Sequence, residues 1–124
     1  MTVFEVADRL VTLCRERKFL ETGDELWAEN IVSIEPMTGD MARLEGRHAV
    51  RAKGEWWVGA HEIHECIMGE PYFNGNSFVV QYKLDVTERA TGNRRVLDEL
   101  GQYSVVDGKI VEEVFLVPHT YFAG

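Results

Sequence analysis

A few side chains in this sequence are of types that move protons, and their positions along alternating strands decide which of them face an interior. Glu99 falls between Leu97 and Tyr103 in an extended stretch whose alternate residues, Leu97, Glu99, Tyr103 and Val105, share one apolar face. An unpaired charge there is costly, so Glu99 is expected to be paired, protonated or set at a pocket. Glu35 closes a β-branched run, Ile31-Val32-Ser33-Ile34, directly before Pro36. Alternation leaves its direction open: with Val32 and Ile34 as the buried set, Glu35 is a solvent-facing carboxylate. Tyr82 and Tyr103 fall on inward positions, where each is either a hydroxyl donor to developing negative charge or a core ring with one hydrogen bond.

The run His61-Glu62-Ile63-His64-Glu65-Cys66 holds three metal-ligand types. Residues three apart on a strand point to opposite faces, so His61 and His64 would need a helix to share an ion, and no metal is expected. His64 shares a face with Cys66 and Met68 on a regular strand, which makes it a candidate proton carrier near neutral pH, against the plainer reading of a satisfied or exposed histidine. Trp56 and Trp57 point about 100° apart on a helix, so one of them can face the sheet. Trp57 is assigned to the pocket wall, with core packing as the alternative.

These residues need elements to position them. Val3, Val6, Ala7, Leu10, Val11, Leu13 and Cys14 recur at helical steps over 3–17, and a shorter helical pattern runs over about 19–28 with Gly23 as its weak point. A first strand over 31–35 ends at Pro36, a loop occupies 36–46, and a third helix follows over 47–59. Four extended segments, 61–72, 77–88, 94–106 and 109–117, then form an antiparallel meander with turns at Asn74-Gly75-Asn76, Thr91-Gly92-Asn93 and Asp107-Gly108. In the third-to-last of them, Phe78, Val80, Tyr82, Leu84 and Val86 should face the helices. A regular hairpin about Asp107-Gly108 pairs Val105 with Ile110, Tyr103 with Glu112 and Glu99 with Leu116, which places Val114 and Leu116 inside. It leaves Leu100, Val111, Phe115 and Val117 on the outer face, an apolar surface suited to a homodimer joined through its sheets.

Composition narrows the function classes. The 124 residues suit one domain over 1–124, and the formal net charge of -8 disfavours nucleic acid and anionic membrane surfaces as partners. No apolar run approaches the roughly 20 residues of a membrane span. Cys14 and Cys66 are too few for a disulfide framework, which together with the absence of a leader-like start points to the cytoplasm. No phosphate loop, nucleophile elbow or Cys-x-x-Cys pair occurs, and no cofactor is implied.

The order of elements, with Asp24-Glu25-Leu26-Trp27-Ala28-Glu29-Asn30-Ile31-Val32-Ser33-Ile34-Glu35-Pro36 and Val105-Val106-Asp107-Gly108-Lys109-Ile110-Val111, resembles the nuclear transport factor 2-like superfamily and, within it, SnoaL-like proteins. The resemblance implies a cone-shaped α+β fold in which three helices pack on a curved, mostly antiparallel sheet enclosing a pocket. It also gives Glu35 a role, since this position matches the carboxylate that serves as general base in steroid delta-isomerases. Such a group shuttles a proton beside a carbonyl once desolvation brings its pKa toward neutrality. The isomerases' oxyanion donors match Leu10 and a position nearer Gly101 than Glu99, so their full machinery is not carried over. Two readings remain: a cofactor-free acid-base isomerase, cyclase or dehydratase acting on a small apolar carbonyl compound through Glu35, Glu99 and His64, with Trp57, Tyr82 and Tyr103 shaping the cavity, or a non-catalytic dimeric ligand-binding or scaffolding module. They part on whether Glu35 and Glu99 open onto one cavity of roughly 300 Å³ or more.

Overall fold

Thr2 starts the first helix: its hydroxyl accepts the Glu5 N–H at 3.1 Å while the Glu5 carboxylate accepts the Thr2 N–H at 2.9 Å. A computed structural model describes residues 1–122, and in it this helix, α1 (Val3–Arg15), buries Val6, Ala7, Leu10, Val11, Leu13 and Cys14, the stripe expected from spacing. The chain continues through α2 (Phe19–Leu26), β1 (Trp27–Ile34), β2 (Arg43–Glu45), α3 (Arg47–Ala60), β3 (His61–Met68), β4 (Tyr72–Asn74), β5 (Ser77–Glu88), β6 (Arg94–Val106) and β7 (Lys109–Leu116) to a single 3-10 turn, His119–Phe122. The strands lie in the order β2-β1-β7-β6-β5-β3, with β4 on β5, and only β1 and β7 run parallel among these neighbours. Three helices on a mostly antiparallel sheet is the α+β architecture that the sequence implies. No helix among the described residues is long and apolar enough to cross a membrane.

Local chemistry moved several boundaries. Strand β1 begins at Trp27, four residues earlier than the β-branched run, because its start pairs with Ile110 of β7. The loop before α3 contains the short strand β2, which pairs with β1. The segment expected over 61–72 is two strands, interrupted at Gly69-Glu70-Pro71, where Pro71 has no N–H to give to a ladder. Phe78, Val80, Tyr82, Leu84 and Val86 are all buried, as their alternation requires.

The last hairpin departs from the regular register in a way that matters for the site. Asp107 and Gly108 both take positive φ, 51° and 75°, which suits a two-residue turn, and Val105 faces Ile110 as expected. One step further a β-bulge intervenes, since Ser104 pairs with Glu112 rather than Val111. Every later residue of β7 is thereby turned over: Tyr103 faces Glu113 and Gly101 faces Phe115, while Leu100 faces Leu116. Glu113 and Phe115 thus point inward, and Val114 and Leu116 point outward. The placing of Val114 and Leu116 inside, and of Phe115 on the outer face, is corrected by this one extra residue.

Gly23, a weak point for helix propensity, has a packing reason. A Cβ at this position would lie 2.6 Å from the Trp27 ring, so the indole lies directly on the helix backbone. Alanine gains about 1 kcal/mol of helix propensity over glycine, but overpacking costs about 1–3 kcal/mol. Gly23→Ala should therefore lower the melting temperature in a thermal unfolding experiment. A rise would show that Trp27 yields its place at no cost.

Candidate functional site

Strand pairing assembles the inner face of the sheet in rows. Phe78, Tyr103, Glu113 and Ser33 line up across β5, β6, β7 and β1. Val80, Gly101 and Phe115 form the next row, and Met68, Tyr82 and Glu99 the one after that. On β1 the fully buried residues are Ile31 and Ser33, so the inward parity is the one that includes Glu35. The question that alternation left open is settled by Ser33, a polar residue on the buried face.

Helix α3 brings a cation down onto these rows. Lys53 Nζ donates to Glu35 Oε1 at 2.9 Å and to Ser33 Oγ at 2.5 Å, and Ser33 in turn donates to Glu113 Oε2 at 3.0 Å. The ammonium also sits 5.7 Å from the centroid of the Phe115 ring. Lys53 is 11% exposed and Glu35 24%, so this is a largely buried ion pair rather than a surface one. Glu113, 5% exposed, lies deeper still. Its carboxyl is pushed up to about 7, first by burial and then against the opposing pull of Lys53 and Ser33. Glu99 is also pushed up to about 7, mainly by burial, with further repulsion from Glu35 and Glu113 and a weaker attraction to Lys53. Three carboxyl groups therefore share the field of one ammonium.

The two tyrosines meet above Gly101. A Cβ on Gly101 would come within 2.8 Å of the Tyr103 ring and hydroxyl and 2.9 Å of the Tyr82 ring, so only a residue without a side chain lets both rings lean over it. Their hydroxyls hydrogen-bond to each other, and both rings meet Phe115 edge-on at centroid distances of 6.4 and 6.5 Å. Burial raises both phenols well above their ordinary range, so both are neutral, one donating and the other accepting in their shared hydrogen bond. Nearby, burial pushes the Cys14 thiol up to about 12 and Cys66 to about 11, which leaves both unreactive.

Two expected site residues lie elsewhere. A register shift between Ile63 and Glu65 turns His64 to the outer face, where its Nε2 lies 2.7 Å from Thr87 Oγ1. Thr87 follows the fully buried Val86, so it is on the solvent side of β5, and His64 is corrected from cavity lining to outer-face partner. Trp57 does turn toward the core while Trp56 stays exposed, but its ring stacks on His61 at 4.5 Å and its carbonyl accepts from His61 Nδ1 at 2.8 Å. Its contacts are those of core packing. Conversely, Glu113, Ser33 and Lys53 were missed. The bulge hid the first, and the others carried no signal beyond a polar residue on an apolar strand and a lysine on a helix.

Two recesses open beside these elements. One of about 290 Å³ is lined by Glu99 together with Gln81, Asp98, Leu100, Leu116, Val117 and Pro118. The other, of about 470 Å³, is lined by residues that include Trp27, Arg47, Val106 and Lys109. Glu35, Tyr82 and Tyr103 line neither, so neither is the common cavity for Glu35 and Glu99 that the sequence suggested. What joins the two acids is the field around Lys53.

A model of the SnoaL-like domain matches residues 1–117. Among solved structures, a protein of Mesorhizobium loti, provisionally named a SnoaL-like polyketide cyclase (carbohydrate phosphatase), is 40% identical; the match covers 94% of this chain and 99% of that one with a TM-score of 0.88. A Bacillus subtilis protein provisionally named an isomerase is 19% identical over 93% of this chain and 88% of its own, with a TM-score of 0.73. A Xanthomonas campestris protein with a cystatin-like fold is 13% identical over 98% and 94%, with a TM-score of 0.79. These last two are likenesses of fold. No protein of curated function matches the sequence.

The raised carboxyls make stability depend on pH in a definite direction. Glu113 ionises near 4.5 in the unfolded chain and at about 7 in the fold, so the folded state holds its proton more tightly. Stability is then full below about pH 4.5, declines as pH rises and has lost this contribution above about 7, on the order of 3 kcal/mol for Glu113. Urea unfolding from pH 5 to 8 should show that decline, and Glu113→Gln should make it shallower, leaving the share that Glu99 contributes. An equally steep decline in the variant would acquit Glu113.

Proposed function

The chain belongs to the SnoaL-like domain family, and from that premise we propose that it binds a small, largely apolar carbonyl compound and works on it by cofactor-free acid-base chemistry of the isomerase, cyclase or dehydratase kind. The observation that carries this reading is Glu99, an inward carboxyl in the cluster around Lys53 whose residue also borders a recess lined by Leu100, Leu116, Val117 and Pro118. With its carboxyl at about 7, Glu99 is part protonated at neutral pH, the condition in which one group both takes and returns a proton. In the step proposed, the carboxylate removes a proton from the carbon beside the carbonyl, the electrons pass to the carbonyl oxygen, and the proton is returned at a different atom. Glu35 is the second proton carrier. The Lys53 ammonium supplies the positive field that offsets negative charge as it develops.

A second reading, a dimeric module that binds without turnover, draws support from Glu35 lining neither recess. The surface assigned to a second copy is the outer sheet face around the exposed Leu100 and Leu116.

A thermal-shift screen of apolar ketones and polyketide-like compounds, with hits assayed for turnover, separates the two readings. Under the first, kcat/KM should inflect near pH 7, and Glu99→Gln should cut turnover by about 100-fold or more and abolish the inflection. Ligands that stabilise the protein without being converted would favour the binding module. Leu116→Glu should yield monomers by light scattering, and a dimer mass that survives it would exclude the outer face as the contact.

A further inference from the structure

The hydrogen bonds around Lys53 have a fixed direction, and that direction gives Glu113 a task. An ammonium can only donate, so Ser33 Oγ accepts from Lys53, and the hydroxyl's own proton is left to go to Glu113 Oε2. Ser33 is fully buried, and its hydroxyl stays oriented for as long as Glu113 accepts from it. Lys53 reaches this point from α3, with Glu35 as its second acceptor and the Phe115 ring beneath it. Removing Ser33's hydroxyl leaves the ammonium with Glu35 alone, and removing its acceptor frees the hydroxyl to turn its lone pairs away from Lys53; in either case a long side chain with four rotatable bonds has alternative positions.

We propose that Glu113 is a positioning residue for Glu35: acting through the Ser33 hydroxyl, it holds the Lys53 ammonium against the Glu35 carboxylate. Glu113 lies too deep to meet a substrate in the recess that Glu99 lines, and it forms no part of that wall. It is nevertheless tied to the face on which Glu35 sits. The charged and titratable groups that bear on it are Lys53 from α3, Glu35 beyond the end of β1, Tyr82 from β5, Glu99 and Tyr103 from β6 and Cys14 from α1. Of these, Lys53 is the cation. The bulge in β7 is then a functional feature, because without it Glu112 would take the place opposite Tyr103 and Glu113 would lie outside.

The consequence for chemistry rests on the acid-base reading proposed above, whereas the geometry does not, and the test uses both. In ¹⁵N-labelled protein, hydrogen exchange of the Lys53 ammonium reports how firmly it is held. Ser33→Ala and Glu113→Leu should each speed that exchange about tenfold, the effect of losing one charge-assisted hydrogen bond, while Ser33→Thr, which keeps the hydroxyl, should exchange as the wild type does. Glu113→Leu removes a buried acid, so it is expected to fold. Once a substrate is found, both disruptive variants should lower kcat with little change in KM. Exchange at the wild-type rate in Ser33→Ala and Glu113→Leu would overturn the proposal, whether or not any compound is ever turned over. Accelerated exchange in a protein with no turnover would uphold the positioning and refute only the acid-base reading.

Discussion

A carboxyl group taken out of water needs either a cation or a proton, and the inner face of this sheet has three such groups around one ammonium. Lys53 satisfies Glu35 directly and reaches Glu113 only through Ser33, while Glu99 receives its weaker, longer-range pull. The shortfall is met by protonation, and that is why Glu99 and Glu113 both lie at about 7. The helix that delivers Lys53 and the two strands that present Glu35, Ser33 and Glu113 are therefore fixed relative to one another by charge as well as by apolar contact.

Much of the architecture was legible because it depends on period. The apolar stripe of α1 and the alternation Phe78, Val80, Tyr82, Leu84 and Val86 each follow from one face being hidden, and both are found buried. The inward direction of Tyr103 and Glu99 followed from the same rule. What period cannot show is an extra residue that resets it. Two bulges, one near Glu65 and one near Val111, reversed the faces of His64, Glu113 and Phe115. A bulge conserves every local preference of the strand, since Val111 and Glu112 are as acceptable bulged as paired, so the sequence carries little trace of it. The missed residues of the site are the ones downstream of these slips or, like Lys53, on a helix where a lysine is unremarkable until something acidic is found beneath it.

The resemblance to steroid delta-isomerases is informative through its gaps. Leu10 offers no hydroxyl, and the position nearest their second donor is Gly101. The absence of a side chain at Gly101 is what admits the Tyr82 and Tyr103 rings, which lie within 2.9 Å of where a Cβ would stand and whose hydroxyls bond to each other. Loss of donors at two positions is thus accompanied by two hydroxyls at other positions, hydrogen-bonded to each other. A residue-by-residue match reads this as lost machinery, whereas the geometry reads it as polar groups supplied from different strands to the same face.

Glu99 and Glu113 illustrate why a shifted pKa alone does not identify a catalytic acid. Both are raised by burial to about 7, and both feel Lys53 and Glu35. Glu113 is sealed, with its one recorded donor, Ser33, on the neighbouring strand, so any proton it takes up must come by way of rearrangement of the fold around it. Glu99 is one of the residues that line a recess. The same desolvation therefore raises both carboxyls: at Glu113 inside the sealed core, and at Glu99 beside a recess. A difference in access, not in acidity, separates the two groups.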